Sequence, residues 1–190
     1  DRRGRWDGER LRGMGWWPTQ PLTVFQPLLP PKLKIALRAG EFYTQVAFSA
    51  ARKQGFTAGG HWVVKNGGAW LQDGEVRGVN FVLPYRLQQH QWRLGIKQPV
   101  ALRIDKLVSV FDMQDIRLDL QGYYPFNERQ PLVLSQAEMV ILRGKLSLSA
   151  LRWPLRDPVV FTGQGLDLSE LITALKIKQF ALSGRVSGVF

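Results

Sequence analysis

The chain has 190 residues, no cysteine and a formal net charge of +11. Its hydrophobic content of 45% and charged content of 22% are ordinary for a folded protein and exclude wholesale disorder. The lack of cysteine excludes a disulfide framework, a thiolate metal site and a thiol nucleophile. No apolar run in the sequence is long enough to span a bilayer.

Apolar and polar residues alternate along most of the chain, most regularly in Ile116-Arg-Leu-Asp-Leu-Gln-Gly122. A period of two residues is typical of a strand with one dry face and one wet face. The sequence therefore predicts a mainly β protein, and the dry side of its sheet needs a cover or a ligand.

The N-terminal part differs in composition from the rest. A hairpin is predicted at Arg5 to Arg10, because Asp7-Gly8 supplies the positive φ angles that a two-residue turn needs. Pro18 to Pro31 is rich in proline, which removes ladder donors and predicts an extended linker or an edge. We therefore divide the chain into a Trp/Pro-rich N-terminal segment and linker, residues 1–31, and an antiparallel β domain, residues 32–190.

The predicted domain continues as an antiparallel meander. Asn66-Gly67-Gly68 and Asp73-Gly74 are strong hairpin turn signals between consecutive strands. The predicted strands span residues 33–38, 42–52, 56–65, 69–72, 75–83, 86–94, 100–110, 113–121, 132–142, 145–153 and 159–164.

A short helix is predicted near the C-terminus. Asp167 is a candidate N-cap, and Glu170 completes a capping box. We expect the helix at about Leu168 to Lys176, too short to cover the sheet, and a strand at Gln179 to Ser183. Because the chain begins without methionine and stops inside the strand-like Ser183 to Phe190, we expect it to be an excised piece of a larger protein.

The basic residues are spread singly rather than clustered, many of them at the polar positions of alternating strands. Nucleic-acid binding needs a basic cluster, so the pattern argues against nucleic acid as a partner. It favours a solvated cationic face, or a surface that works near anionic lipid headgroups.

The candidate catalytic residues are few. His61 and His90 have no carboxylate or second histidine near them at metal-ligand spacing, and each is expected to be an ordinary strand residue. The aspartates between residues 105 and 119 are close in sequence, but Asp119 and its neighbours fit the wet face of a strand. We therefore expect no enzyme, no cofactor and no metal site.

The alternating apolar residues define a candidate groove lining if they face one side. The set is Phe48, Trp62, Val64, Phe81, Leu83, Leu102, Ile104, Ile116, Leu118, Leu120, Leu132, Leu134, Leu146, Leu148, Phe161, Phe180 and Leu182. Three arrangements fit this set: a rolled sheet whose apolar lining is reserved for a ligand, a closed sandwich or barrel core, and a scaffold whose exposed edges recruit other strands.

Two phrases resemble a known family. Gly165-Leu-Asp-Leu-Ser-Glu-Leu-Ile172 and Lys178-Gln-Phe-Ala-Leu-Ser-Gly-Arg-Val-Ser-Gly188 are similar to the C-terminal region of YdbH-like proteins, bacterial members of the AsmA-like superfamily. That region carries the label "dicarboxylate transport", although the chain shows no site built for a dicarboxylate. The similarity extends upstream through Asp73-Gly-Glu-Val-Arg-Gly-Val79 and covers most of the chain after the linker.

The resemblance implies a fold and a function. The expected fold is a curved antiparallel sheet rolled into an open trough or groove, with the one short helix near its C-terminal end. Such proteins are anchored in the inner membrane of Gram-negative bacteria by an N-terminal helix and extend into the periplasm. They carry phospholipid between the inner and outer membranes, holding the acyl chains in the apolar trough, and YdbH-like members work beside a small outer-membrane lipoprotein partner. The alternative function is a non-enzymatic β scaffold for protein–protein interaction in the cell envelope.

Overall fold

The computed structural model describes residues 2–7, 10–51 and 55–183, and its strands form one antiparallel sheet. The sheet has twelve strands, and it is not a closed barrel because no pairing joins β1 to β12. The strands are β1 Arg2–Asp7, β2 Arg10–Pro21, β3 Ala36–Ala51, β4 Gly55–Leu71, β5 Gly74–Gln88, β6 Gln91–Leu94, β7 Val100–Val108, β8 Asp112–Tyr124, β9 Leu132–Ile141, β10 Gly144–Leu148, β11 Leu151–Trp153 and β12 Phe161–Gln164.

The strands follow one another in the sheet as the predicted meander. At two places in this order, two short strands lie end to end where a single strand would otherwise lie. Both β6 and β7 pair with β5 on one side and β8 on the other, so together they fill one position. Residues 95–99 interrupt them, and Gly95 has a φ of +70° while its N–H donates to Pro84 O at 2.9 Å. In the same way, β10 and β11 both pair with β9, so the predicted continuous strand 145–153 is wrong.

Of the two turns predicted within the β domain, one is confirmed and the other is wrong. Leu71 pairs with Gly74, which places the Asp73-Gly74 hairpin where the sequence predicted it. Asn66-Gly67-Gly68 instead lies inside β4, where the register shifts without a reversal of the chain. Asn66 has a φ of +53°, and the strand continues past it to Leu71.

Two hairpins in the structure lack the usual turn residues. Gln89 and His90 join β5 to β6 with φ angles of +51° and +62°, so the predicted single strand 86–94 is wrong. Leu142 and Arg143 join β9 to β10 with φ angles of +50° and +62°. Positive φ at both central residues is the geometry of a type I′ turn, which usually selects Asn or Gly.

A line of bulges crosses the sheet from β3 to β8. A side chain at Gly40 would meet Gly67 Cα at 2.6 Å, and one at Gly78 would meet the carboxylate of Asp105. Asp115, with a φ of +51°, lies opposite Asp105 on the next strand. A bulge adds one residue to a strand, so the alternation of apolar and polar residues shifts by one position there. The apolar side chains on both sides of the bulge then lie on the same face of the sheet. A bulge also bends the strand.

The side chain of Asn80 connects two of these bulges. Its Oδ1 accepts from Asn66 N at 3.0 Å, and its Nδ2 donates to Gly78 O at 3.0 Å. This amide therefore fixes the irregular backbone of β4 and β5 relative to each other.

The helix α1 spans Leu168–Ser183 and is longer than predicted. Asp167 caps it, since Oδ1 accepts from Ser169 N at 2.9 Å and Glu170 N at 3.2 Å. The predicted strand Gln179 to Ser183 is wrong, because those residues continue the helix to Ser183. The strand-like phrase from Gly184 to Phe190 lies outside the described residues.

The proline-rich stretch contains two 3₁₀ segments, Leu22–Leu28 and Pro31–Leu33. Phe25 packs edge-on against Phe42 of β3 with ring centroids 4.7 Å apart. Gln26 donates to Ile35 O and accepts from Leu37 N, which holds the first segment against the start of β3. The division at residue 31 stays a prediction.

Candidate binding face

The cross-strand register places every strand member of the candidate lining on one side of the sheet. Directly paired residues of antiparallel strands share a face. Phe48 pairs with Ala58, which pairs with Leu87, and Leu102 pairs with Leu118. Following the pairs and the bulges across the sheet gives one apolar face, which carries Phe48, Trp62, Val64, Phe81, Leu83, Leu102, Ile104, Ile116, Leu118, Leu120, Leu132, Leu134, Leu146, Leu148 and Phe161. The other two candidates, Phe180 and Leu182, lie in α1 and not on a strand.

The apolar face is only partly buried. Val64 and Ile116 are buried, Phe161 is 62% exposed, and the other strand candidates are half-buried. Among the residues whose burial the structure describes, no large side chain is fully buried. The closed sandwich or barrel core considered from the sequence is therefore wrong for this sheet.

The opposite side, which we call the polar face, carries cross-strand ion pairs. Arg103 of β7 contacts Asp119 of β8 at 3.1 Å. Glu138 of β9 lies between Arg117 at 3.8 Å and Lys145 at 3.1 Å. The predicted wet-face positions of Arg117 and Asp119 are confirmed, and the charges keep this face hydrated.

Three aromatic rings form a cluster on the apolar face. The centroid of Tyr85 lies 4.6 Å from that of Trp62 and 5.5 Å from that of Trp92, and the two tryptophans are 5.8 Å apart. Tyr85 is 5% exposed, and burial raises the pKa of its phenol above the usual value. A phenol is protonated at neutral pH even at its usual pKa, so the Tyr85 hydroxyl can donate a hydrogen bond.

The candidate catalytic residues are not brought together. His61 lies on the polar face, with its ring 5.9 Å from that of Tyr43. His90 occupies the β5–β6 turn, so its predicted strand position is wrong. Asp115 lies in the bulge of β8, and the described residues contain no group of three His, Cys, Asp or Glu side chains that could hold a metal ion.

Sequence reasoning missed part of the apolar face. Tyr85, Trp92 and Leu94 belong to it by register but were not among the candidates. The cause is the unpredicted turn at Gln89 and His90, which reverses the chain between Tyr85 and Trp92. The available signal was the apolar alternation of Trp92 and Leu94, which resumes after the polar run Gln88 to Gln91.

A family model described as "Intermembrane phospholipid transport protein YdbH" matches residues 1–190. The chain belongs to the YdbH-like family. The match includes the Trp/Pro-rich start, which the resemblance read from the sequence did not cover. No solved structure matches the chain.

A curated relative gives the same family. The chain is 51% identical over 185 residues to "Probable phospholipid transport protein YdbH" of Escherichia coli strain K12. The alignment covers 97% of this chain and 21% of that protein, so the chain spans about a fifth of its relative. In the part of the chain that the structure describes, no helix has the length and apolarity needed to cross a membrane.

Proposed function

We propose that this chain is one section of a periplasmic bridge that carries phospholipid between the inner and outer membranes of a Gram-negative bacterium. The observation that supports the proposal best is the continuous apolar face on a single open sheet. Its side chains are half-buried by their lateral neighbours, and no second sheet of described residues covers them. The relative is named a probable phospholipid transport protein, which agrees with a lipid as the molecule that covers this face.

Acyl chains match this face energetically. Each methylene that leaves water for an apolar surface gains about 0.8 kcal/mol. The attraction is non-directional, so a lining of Leu, Ile, Val and Phe accepts chains of different lengths and lets them slide. A rolled sheet would bring the apolar face inward as a trough, with the ion-paired polar face outward.

The other parts of the transport path belong to the proposal as well. The membrane attachment would come from other parts of a longer protein. A small outer-membrane lipoprotein could pair with a free strand edge. One such edge is the outer side of β12, since Phe161–Gln164 is exposed and pairs only with β10 among the described residues. Strand addition at such an edge gives main-chain hydrogen bonds to a partner.

The proposed transport needs no catalysis. Lipid sliding along an apolar surface breaks no covalent bond, and we assign no catalytic role to His61, His90 or Asp115.

Site-specific photo-crosslinking tests the proposal. A photo-reactive amino acid at Leu118 or Leu102 of the full-length protein in cells should capture phospholipid. Matched positions one residue away, Arg117 and Ala101, lie on the polar face and should not. Equal capture at both sets, or no lipid at either, would show that the apolar face is not the lipid path.

A second experiment tests the path by function. Leu118→Asp should leave the protein folded and should block transport, because the carboxylate lies on the acyl-chain path. Ala101→Asp is the control and should support growth of cells that lack related transporters. Normal complementation by Leu118→Asp would contradict the proposal.

A further inference from the structure

Hydrogen-bond donors interrupt the apolar face at one place. From β3 to β9, the strand residues that share this face away from the bulges are uncharged. The hydroxyl of Thr44 is already used, since it donates to His61 O at 3.1 Å. Tyr124 pairs with Trp92 at the end of β8 and is 58% exposed, so its hydroxyl lies at the margin of the same place. The other donors are the Tyr85 hydroxyl and the indole N–H groups of Trp62 and Trp92.

These three side chains lie close together because of the register. Tyr85 pairs with Gly60 on β4 and with Leu94 on β6. Trp62 and Trp92 are diagonal neighbours on the same two strands, which explains ring separations of 4.6 to 5.8 Å. Gly60 is itself constrained by β3, since a side chain there would meet the backbone of Gln45.

The donors lack partners within the described residues. No hydrogen bond joins the Tyr85 hydroxyl or either indole N–H to another described group. Among the described residues, the buried side-chain atom without a hydrogen-bond partner is Glu75 Oε2, so these three donor atoms remain open to solvent although the Tyr85 ring is buried. Tyrosine and tryptophan often combine a packed ring with a polar atom that meets water or a binding partner. A ligand that lies on this face displaces the water at these donors, and the donors then need an acceptor from the ligand.

We infer that the Trp62–Tyr85–Trp92 cluster binds the ester carbonyl oxygens of a glycerophospholipid while its acyl chains lie along the flanking apolar rows. The inference rests on the proposed function and adds a fixed position for the glycerol ester region. Ester carbonyls are neutral acceptors, which match donors on a face without cations. A phosphate group would need a cation that this face does not offer, and hydrocarbon alone offers no acceptor.

The same geometry has a purely structural explanation. An aromatic ring beside a cross-strand glycine also stabilises a sheet by packing alone. In that case removal of the donors would not change which lipids bind, and this difference makes the two explanations separable.

Binding of ester and ether lipids to the full-length protein tests the inference. The probes are a diacyl phospholipid and its dialkyl ether analogue with the same headgroup and chain lengths, since the ether lipid lacks the carbonyls. We expect the diacyl lipid to bind about fivefold more tightly, which corresponds to about 1 kcal/mol. Tyr85→Phe should reduce this ratio towards one, with the affinity for the ether lipid unchanged.

The controls separate this inference from the proposed function. Tyr43→Phe removes a hydroxyl on the polar face and should keep the ratio. Trp62→Phe removes one N–H, keeps an aromatic ring, and should lower the ratio if Tyr85→Phe fails to fold. Equal binding of both lipids by the parent protein, or an unchanged ratio in the folded variants, would overturn the inference while lipid transport stands. Failure of both lipids to bind the parent would overturn the proposed function and this inference with it.

Discussion

The two faces of the sheet share one backbone and differ in the side chains that they present to water. The polar face is charged, and several of its charges form cross-strand pairs, such as Arg103 with Asp119 and Glu138 with Lys145. The apolar face carries nearly all of the buried residues of the sheet, among them Val64, Tyr85 and Ile116, yet none of its large side chains is fully buried. The difference shows that this sheet is stabilised by pairing and lateral packing, and that no second sheet of described residues covers its apolar side.

Side chains of the apolar face differ in how deeply they are buried, and this difference gives the largest predicted effect on stability. Ile116 is 4% exposed, next to the bulge of β8, whereas Leu118 is half-buried two residues away. Ile116→Asp should lower the free energy of unfolding by about 3–5 kcal/mol, because its carboxylate would be buried without a partner. Leu118→Asp should lower it by less than about 1.5 kcal/mol, because its carboxylate can reach water.

Urea unfolding of both variants measures this difference. Ile116→Val is the control for lost volume and should cost about 0.5–1.5 kcal/mol. Equal and large losses for the two aspartate variants would mean that the whole face is a closed core.

The second prediction concerns the bulges that keep the two faces separate. Asn80→Ala should reduce stability by about 1–2 kcal/mol, since it removes the hydrogen bonds to Asn66 N and Gly78 O together. Thermal unfolding gives the size of the loss. Asn80→Asp retains an acceptor for Asn66 N and should lose less, while no loss in Asn80→Ala would show that the bulges hold without the amide.

The smallest loss of stability is expected from a substitution on the polar face. Glu138→Gln removes the ion pairs with Arg117 and Lys145, whose side chains are largely exposed. The loss should stay below about 1 kcal/mol and vanish at about 1 M salt, where exposed charges are screened. Unfolding curves at low and high salt measure it, and a larger loss that persists in high salt would mean that these pairs hold the sheet together.

Local signals accounted for much of the fold. The period-two alternation predicted the strands and the shared face, because a strand that must be dry on one side can place apolar residues only at every second position. Asp73-Gly74 and the Asp167 cap were confirmed for the same reason, since their chemistry acts within a few residues.

The errors came where tertiary contacts override local preference. Gln89-His90 and Leu142-Arg143 adopt positive φ angles that their side chains disfavour, because the pairing of the flanking strands holds them there. Asn66-Gly67, which favours a turn, becomes a bulge because β3 and β5 pair with β4 on both sides of it. The Trp62–Tyr85–Trp92 cluster depends on the turn at Gln89-His90, which sets β6 beside β5, and had no signal in any single strand.

The sequence by itself determined that the chain forms an antiparallel sheet with one apolar and one charged face, because alternation is a property of each strand alone. It also carried the family resemblance in the phrases around Asp167 and Ser183. Only the tertiary structure decided that the sheet stays open, that bulges keep one face apolar across β3 to β8, and that three aromatic donors meet on it. Those features arise from register, which is set by neighbouring strands far apart in the chain.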